Sequence, residues 1–176
     1  MATQAQIDEL VAKMAEERDR LLTLVEGLSE EEARRAPVDA EGEAQWSPKE
    51  QLAHLAEMET AYRAWVERAL EEDGADVSRV RGTPPAIPLE RAHERTVAEH
   101  VSELRRQRAL TLDVIARMRP EDFDRRATHA MFGTLTLLQW LRSYYRHDRM
   151  HIDQISGREP EYRPRFATGR EPDQRR

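Results

Sequence analysis

The chain has no cysteine, which excludes disulfides, thiolate zinc sites, iron–sulfur clusters and a cysteine nucleophile together; any thiol chemistry would need an outside thiol. Asparagine is also missing, lysine is confined to Lys13 and Lys49, and only 7 glycines are spread over 176 residues. No apolar run is long enough to span a bilayer. The opening residues carry Asp8, Glu9, Glu16 and Glu17 where a secretion signal would place basic and then apolar residues, so the cytoplasm is the expected compartment. A basic stripe is lacking too, since the arginines are interspersed with carboxylates and the formal net charge is −6, leaving no electrostatic footprint for nucleic acid. There is no Ser-His-Asp order, glycine-rich phosphate loop or nucleotide fingerprint.

What remains is 39% hydrophobic and 35% charged, in a pattern of helical period. From Gln6 to Leu28, Ile7, Leu10, Val11, Met14, Leu21, Leu24, Val25 and Leu28 recur at three- and four-residue spacing and predict a first helix. Ser29 and Glu32 have capping-box spacing and predict a short helical turn before a polar connection through Pro37 and Gly42. Ser47, Pro48 and Glu50 mark the start of a second helix that should run to about Glu72, with Gly74 as its stop. The stretch from Asp73 to Pro88, rich in Gly and Pro, predicts a long exposed loop.

A third helix is expected from Leu89 to Met118, its apolar face interrupted by Arg108 and Thr111. Thr136 and Gln139 form another capping box, with Leu135 and Trp140 at staple positions, and open a fourth helix ending near Gly157 and Pro160. The residues from Arg158 to Arg176 show no helical period and are expected to be an extended or disordered tail. The predicted fold is all-α: one four-helix bundle over residues 1–157, with a long loop between the second and third helices, followed by the tail 158–176.

Six histidines are present. His147 and His151 are four apart on the fourth helix, which places their Cβ atoms roughly 5–6 Å from each other on one face. His54, near the start of the second helix, shares a side with Met58 and Trp65 and supplies a third imidazole if the two helices meet at these ends. Three imidazoles suit zinc, nickel, copper or iron and leave coordination positions open, as in catalytic sites. The segment is not the zincin motif, because Asp148 stands where that motif has Glu. His93 and His100 are about 10.5 Å apart along a helix axis and cannot share one ion; His129 reads as a surface-loop residue. Glu50 and Glu57 are candidates to orient an imidazole, Asp148 and Asp153 are expected as surface partners of arginines, and Trp65, Trp140, Tyr62 and Tyr144 as core.

Three segments, Trp46-Ser47-Pro48-Lys49-Glu50-Gln51-Leu52-Ala53-His54-Leu55, Phe132-Gly133-Thr134-Leu135-Thr136-Leu137 and His147-Asp148-Arg149-Met150-His151-Ile152-Asp153-Gln154-Ile155, give the stretch from about Gln6 to Gly157 a resemblance to the DinB/YfiT-like family of metal-dependent enzymes. The resemblance implies a four-helix bundle with one divalent metal ion on His54, His147 and His151. Zinc or nickel is expected first, then iron or manganese. Many members carry a further histidine where this chain has Met150. The implied activity is that of a hydrolase, or of a transferase using a low-molecular-weight thiol, on a small-molecule substrate, with neither nucleic acid nor membrane as partner. The alternative is a non-catalytic, stress-related metal- or ligand-binding protein; a homodimer is compatible with each.

Overall fold

Each long helix begins on a side-chain cap that its sequence supplies. In the computed structural model, which describes residues 2–38, 40–167 and 169, α1 spans Gln4–Glu26, α2 Pro48–Glu71, α3 Val97–Arg117 and α4 Leu137–Ile155. Thr3, Ser47, Thr96 and Thr136 cap them, each in a reciprocal capping box with the residue three positions on. The caps satisfy backbone N–H groups that would otherwise lack partners at the helix starts. Ser29 and Glu32 also pair as expected, ahead of a 3₁₀ turn over Glu32–Arg34.

The third helix departs from its expected start. Leu89–Glu94 forms a separate 3₁₀ turn, Arg95 is extended, and Thr96 caps α3 with Glu99. Buried Lys49 donates to the Arg95 carbonyl at 2.6 Å, and Glu30 accepts from the Val97 N–H at 2.8 Å. These partners take backbone groups that a continuous helix would pair internally.

The loop from Asp73 to Pro88 is likewise less exposed than predicted, because Ala75, Val77 and Ile87 are buried. Its start forms β1 (Ala75–Asp76), which pairs in parallel with β2 (Arg126–His129), and β2 pairs antiparallel with β3 (Gly133–Thr136). Further on the loop crosses α2 so closely that a Cβ on Gly82 would stand 2.3 Å from the Thr60 carbonyl oxygen, and the Trp65 indole donates to the Val80 carbonyl at 3.1 Å. The small sheet is an addition to a four-helix bundle, too short for a hydrophobic alternation to have marked it.

Residues 158–167 carry neither helix nor strand, yet Pro160, Tyr162, Pro164 and Phe166 are half-buried and alternate with exposed Glu161, Arg163 and Arg165. This two-residue period lays the segment back along α4. Arg158 pairs with Asp153 at 2.8 Å, Arg146 lies over the Tyr162 ring, and Phe166 packs on Phe132 at 5.5 Å between ring centres. The rest of the expected tail, positions 168 and 170–176, lies outside the described residues. Among the described residues no helix is long and apolar enough to cross a membrane.

The core has two apolar clusters. One gathers Leu10, Met14, Tyr62, Trp65, Val114, Trp140 and Tyr144; the other gathers Leu21, Val25, Leu52, Leu55, Leu104 and Ile152. On every helix, one charged residue stands between the two: Arg18 on α1, Glu59 on α2, Arg108 on α3 and Asp148 on α4, with side-chain exposures of 3–5% for the first three and 0% for Asp148. Arg18 grips Asp148 through two bonds of 2.9 and 3.1 Å and reaches Glu59 at 2.6 Å. Arg108 reaches Glu59 and Asp148 at 2.8 Å each. The Leu104 and Met14 carbonyls accept further guanidinium N–H groups. Asp148 is therefore buried rather than a surface residue, and Arg108 interrupts the apolar face of α3 because it points into a neutral polar layer.

Removing one member of such a layer leaves an uncompensated buried charge, which costs about 3–5 kcal/mol. Asp148→Ala should lower the urea-unfolding free energy by that amount; a loss below about 1 kcal/mol would show that the layer contributes little. Burial raises the Glu59 carboxyl, but the charges of Arg108 and Arg18 prevail and bring it from 4.5 down to about 2. Its contribution to stability should be complete above about pH 4.5 and fade as the pH falls toward 2.

Candidate metal centre

α2 and α4 pack together, which brings His54 to His147 and His151. All three are buried, and the ring centres of His54 lie 5.1 Å from His147 and 5.6 Å from His151. The Nε2 atoms of His147 and His151 are 3.0 Å apart. The three histidines selected in the sequence are thus one cluster.

The structure adds a fourth group. Glu43, on a 3₁₀ turn over Gly42–Gln45, is 7% exposed and turns its carboxylate into the cluster. Its oxygens stand 3.1 Å from His54 Nε2, 3.4 Å from His147 Nε2 and 3.5 Å from His151 Nε2. Nothing in the sequence singled this residue out, since it lies in an aperiodic connection. Gln51 was also missed, although its place three residues before His54 on the same helix face was a usable signal.

The donor set fits a divalent cation. Ligand atoms about 2.0–2.1 Å from a tetrahedral ion stand about 3.3 Å from one another, and the separations of 3.0–3.5 Å bracket that value. All four donors can be chosen within 4.8 Å of each other. His54 Nε2 is a buried nitrogen that satisfies no hydrogen bond by geometry and stands 3.1 Å from Glu43 Oε1, as suits an atom able to ligate a cation. Burial, followed by the charge of His147, pushes His151 well below the ordinary imidazole value and favours the neutral, ligating form. Burial acts to raise the Glu43 carboxyl, but the charge of His54 and the hydrogen bond with His147 outweigh it and hold the group well below the usual carboxylate range.

The other polar candidates stand apart from the cluster. Glu50 completes the α2 cap, and Glu57 accepts the Leu89 N–H at 2.9 Å; neither is among the groups gathered around the imidazoles. His100 is buried, with its Nε2 2.9 Å from the Ala92 carbonyl. His93 is exposed and faces Glu50 at 3.8 Å. His129 is not a surface residue: it is 7% exposed, stacked against Trp65 at 4.4 Å, and its Nδ1 accepts the Met131 N–H. The β2–β3 hairpin folds it inward. Tyr62, Trp65, Trp140 and Tyr144 are core residues, and Tyr62 extends to 6.4 Å from the His147 ring.

A family model described as the DinB superfamily matches residues 13–155. A curated relative, the uncharacterized protein YuaE of Bacillus subtilis (strain 168), is 27% identical over 145 residues, which cover 74% of this chain and 85% of that one. A solved structure of YfiT from Bacillus subtilis, described as a probable metal-dependent hydrolase with an unusual four-helix bundle topology, superposes with a TM-score of 0.72 at 16% identity. The match covers 89% of this chain and 87% of that one, and at that identity the likeness is one of fold.

Purified without chelator or an affinity nickel column, the protein should carry about one divalent ion per chain by elemental analysis, as the one such cluster of donors among the described residues requires. His54→Ala, His147→Ala and His151→Ala should each sharply reduce that content with the helical far-UV signal kept. Wild-type metal in all three would remove the site. Affinity should weaken as the pH falls toward about 6.5, where protons compete for imidazole. Because the Glu43 charge also raises the proton affinity of His151, Glu43→Gln should lose more metal affinity at pH 8 than at pH 6, where the wild type meets the stronger proton competition.

Proposed function

The chain belongs to the DinB superfamily, and from that premise we propose that it is a divalent-metal-dependent hydrolase of a small-molecule substrate, with His54, His147, His151 and Glu43 as the residues that hold the ion. The observation that carries this reading is the convergence of three imidazole nitrogens and one carboxylate on a common point. The description of the fold neighbour YfiT as a probable metal-dependent hydrolase supports it. Three imidazoles and a carboxylate suit zinc or nickel, and iron or manganese with less preference. When bound, such an ion supplies Lewis acidity, polarising a carbonyl and acidifying water.

The chain's own residues have separate tasks in this reading. The imidazoles present neutral nitrogen donors, and Glu43 offsets part of the cation's charge in a site with little solvent. Tyr62, at the edge of the cluster, is held protonated: burial, with the hydroxyl of Tyr162 and the carboxylate of Glu43 nearby, pushes its phenol far up. It is a hydrogen-bond donor suited to an oxygen that gains negative charge during acyl transfer.

One observation favours a second reading. Four buried protein donors come nearer to a closed structural site than to the three-donor pattern of catalytic zinc, as a protein that binds metal without turnover would have. Cobalt-substituted protein distinguishes the possibilities. The hydrolase should cleave members of an ester and amide panel, lose that activity in His147→Ala, and show no thiolate charge-transfer band with biological thiols. A band with one small thiol, coupled to turnover of an electrophile, would replace hydrolysis by thiol-dependent transfer. Absence of all turnover would leave metal binding alone.

A further inference from the structure

Gln51 is 1% exposed and lies 2.9 Å from two groups at once: its Nε2 from the Trp46 carbonyl oxygen, and its Oε1 from His151 Nδ1. The amide can be oriented in only one way. A carbonyl oxygen accepts and cannot donate, so the NH₂ end must face Trp46, because the flipped amide would press two oxygens together. The end facing His151 is then an oxygen, and it requires a proton on Nδ1. Nε2, the atom turned toward His147 and Glu43, is left to offer its lone pair.

Trp46 extends the connection. Its N–H bonds to the Glu43 carbonyl at 3.2 Å, closing the turn that carries the carboxylate, and its ring packs edgewise on His54 at 4.7 Å. One residue therefore touches the backbone of Glu43, the ring of His54 and, through Gln51, the far side of His151.

We propose that Gln51 is a positioning residue of the metal centre, which locks His151 in the Nδ1-protonated tautomer and ties that tautomer to the turn bearing Glu43. The proposal rests on the metal reading for its purpose, not for its geometry. Outer partners of ligating histidines fix ring orientation and tautomer in this way, and their loss weakens metal binding by about 10–100-fold. A neutral amide leaves Glu43 as the anionic donor among the four gathered groups.

The test uses full-length protein with ¹⁵N-labelled histidine, metal-free and zinc-loaded, and compares Gln51→Leu with Gln51→Glu. In the wild type, His151 should show a slowly exchanging Nδ1–H and an unprotonated Nε2 in both states. Gln51→Leu should lose the protected Nδ1–H and bind zinc about 10–100-fold more weakly. Gln51→Glu keeps the acceptor toward Nδ1 but loses the bond to the Trp46 carbonyl, so it should restore the protected proton while its zinc affinity falls between those of Gln51→Leu and the wild type. A merely structural residue would show equal losses in both variants, and that result, or Gln51→Leu with an unchanged tautomer and affinity, would overturn the proposal. If the wild type binds no zinc, the metal reading fails, while the tautomer of the metal-free protein still decides the role of Gln51.

Discussion

Two arginines and two carboxylates, one from each helix, meet in the interior, and the arrangement of the bundle follows from them. Arg18, Glu59, Arg108 and Asp148 are nearly or wholly excluded from solvent, where an isolated charge would be prohibitively expensive. The four charges cancel, and the guanidinium groups direct further N–H groups at the Leu104 and Met14 carbonyls. A layer of this kind contributes less to net stability than apolar packing could. Its stronger effect is on geometry, because sliding one helix by a turn would strand a charge among the leucines of either flanking cluster.

That geometry sets the candidate metal centre. Asp148 lies between the two clustered histidines of α4, next to His147 and three residues before His151, and Glu59 lies five residues beyond His54 on α2. Both carboxylates are bound by the same pair of arginines, so the register that satisfies the charges also brings the three imidazoles together. The cost of the buried layer is thus coupled to the alignment of a site one turn away. The turn that carries Glu43 is secured separately, through Trp46 and the cap of α2.

Burial has opposed consequences inside the site. It favours the neutral, ligating form of His151 and disfavours the Glu43 carboxylate, which the neighbouring histidines hold in its charged form. Four donors gathered with little solvent fit a cation and leave little room for competing groups. The segment 158–167, laid along α4 against Arg146 and Phe132, adds cover on the side of Tyr62.

The four helices, with the capped starts of α2 and α4, were legible in the sequence, because capping boxes and a 3.6-residue period are local and each depends on residues within one turn. The pair His147 and His151 was legible for the same reason, and the family resemblance of three short segments joined His54 to them. Other features depended on residues distant along the chain. Glu43 meets His147 across 104 positions, Gln51 meets His151 across 100, and Arg18 meets Asp148 across 130. The break before α3 was set by Lys49 and Glu30 from elsewhere in the chain, and the burial of the loop at Gly82 by the backbone of α2. Local periodicity and capping decided which faces are apolar and where α2 and α4 begin. Only the packing of those faces decided which polar groups are enclosed together, since charge neutralisation and ligand convergence depend on distances in space that sequence spacing does not carry.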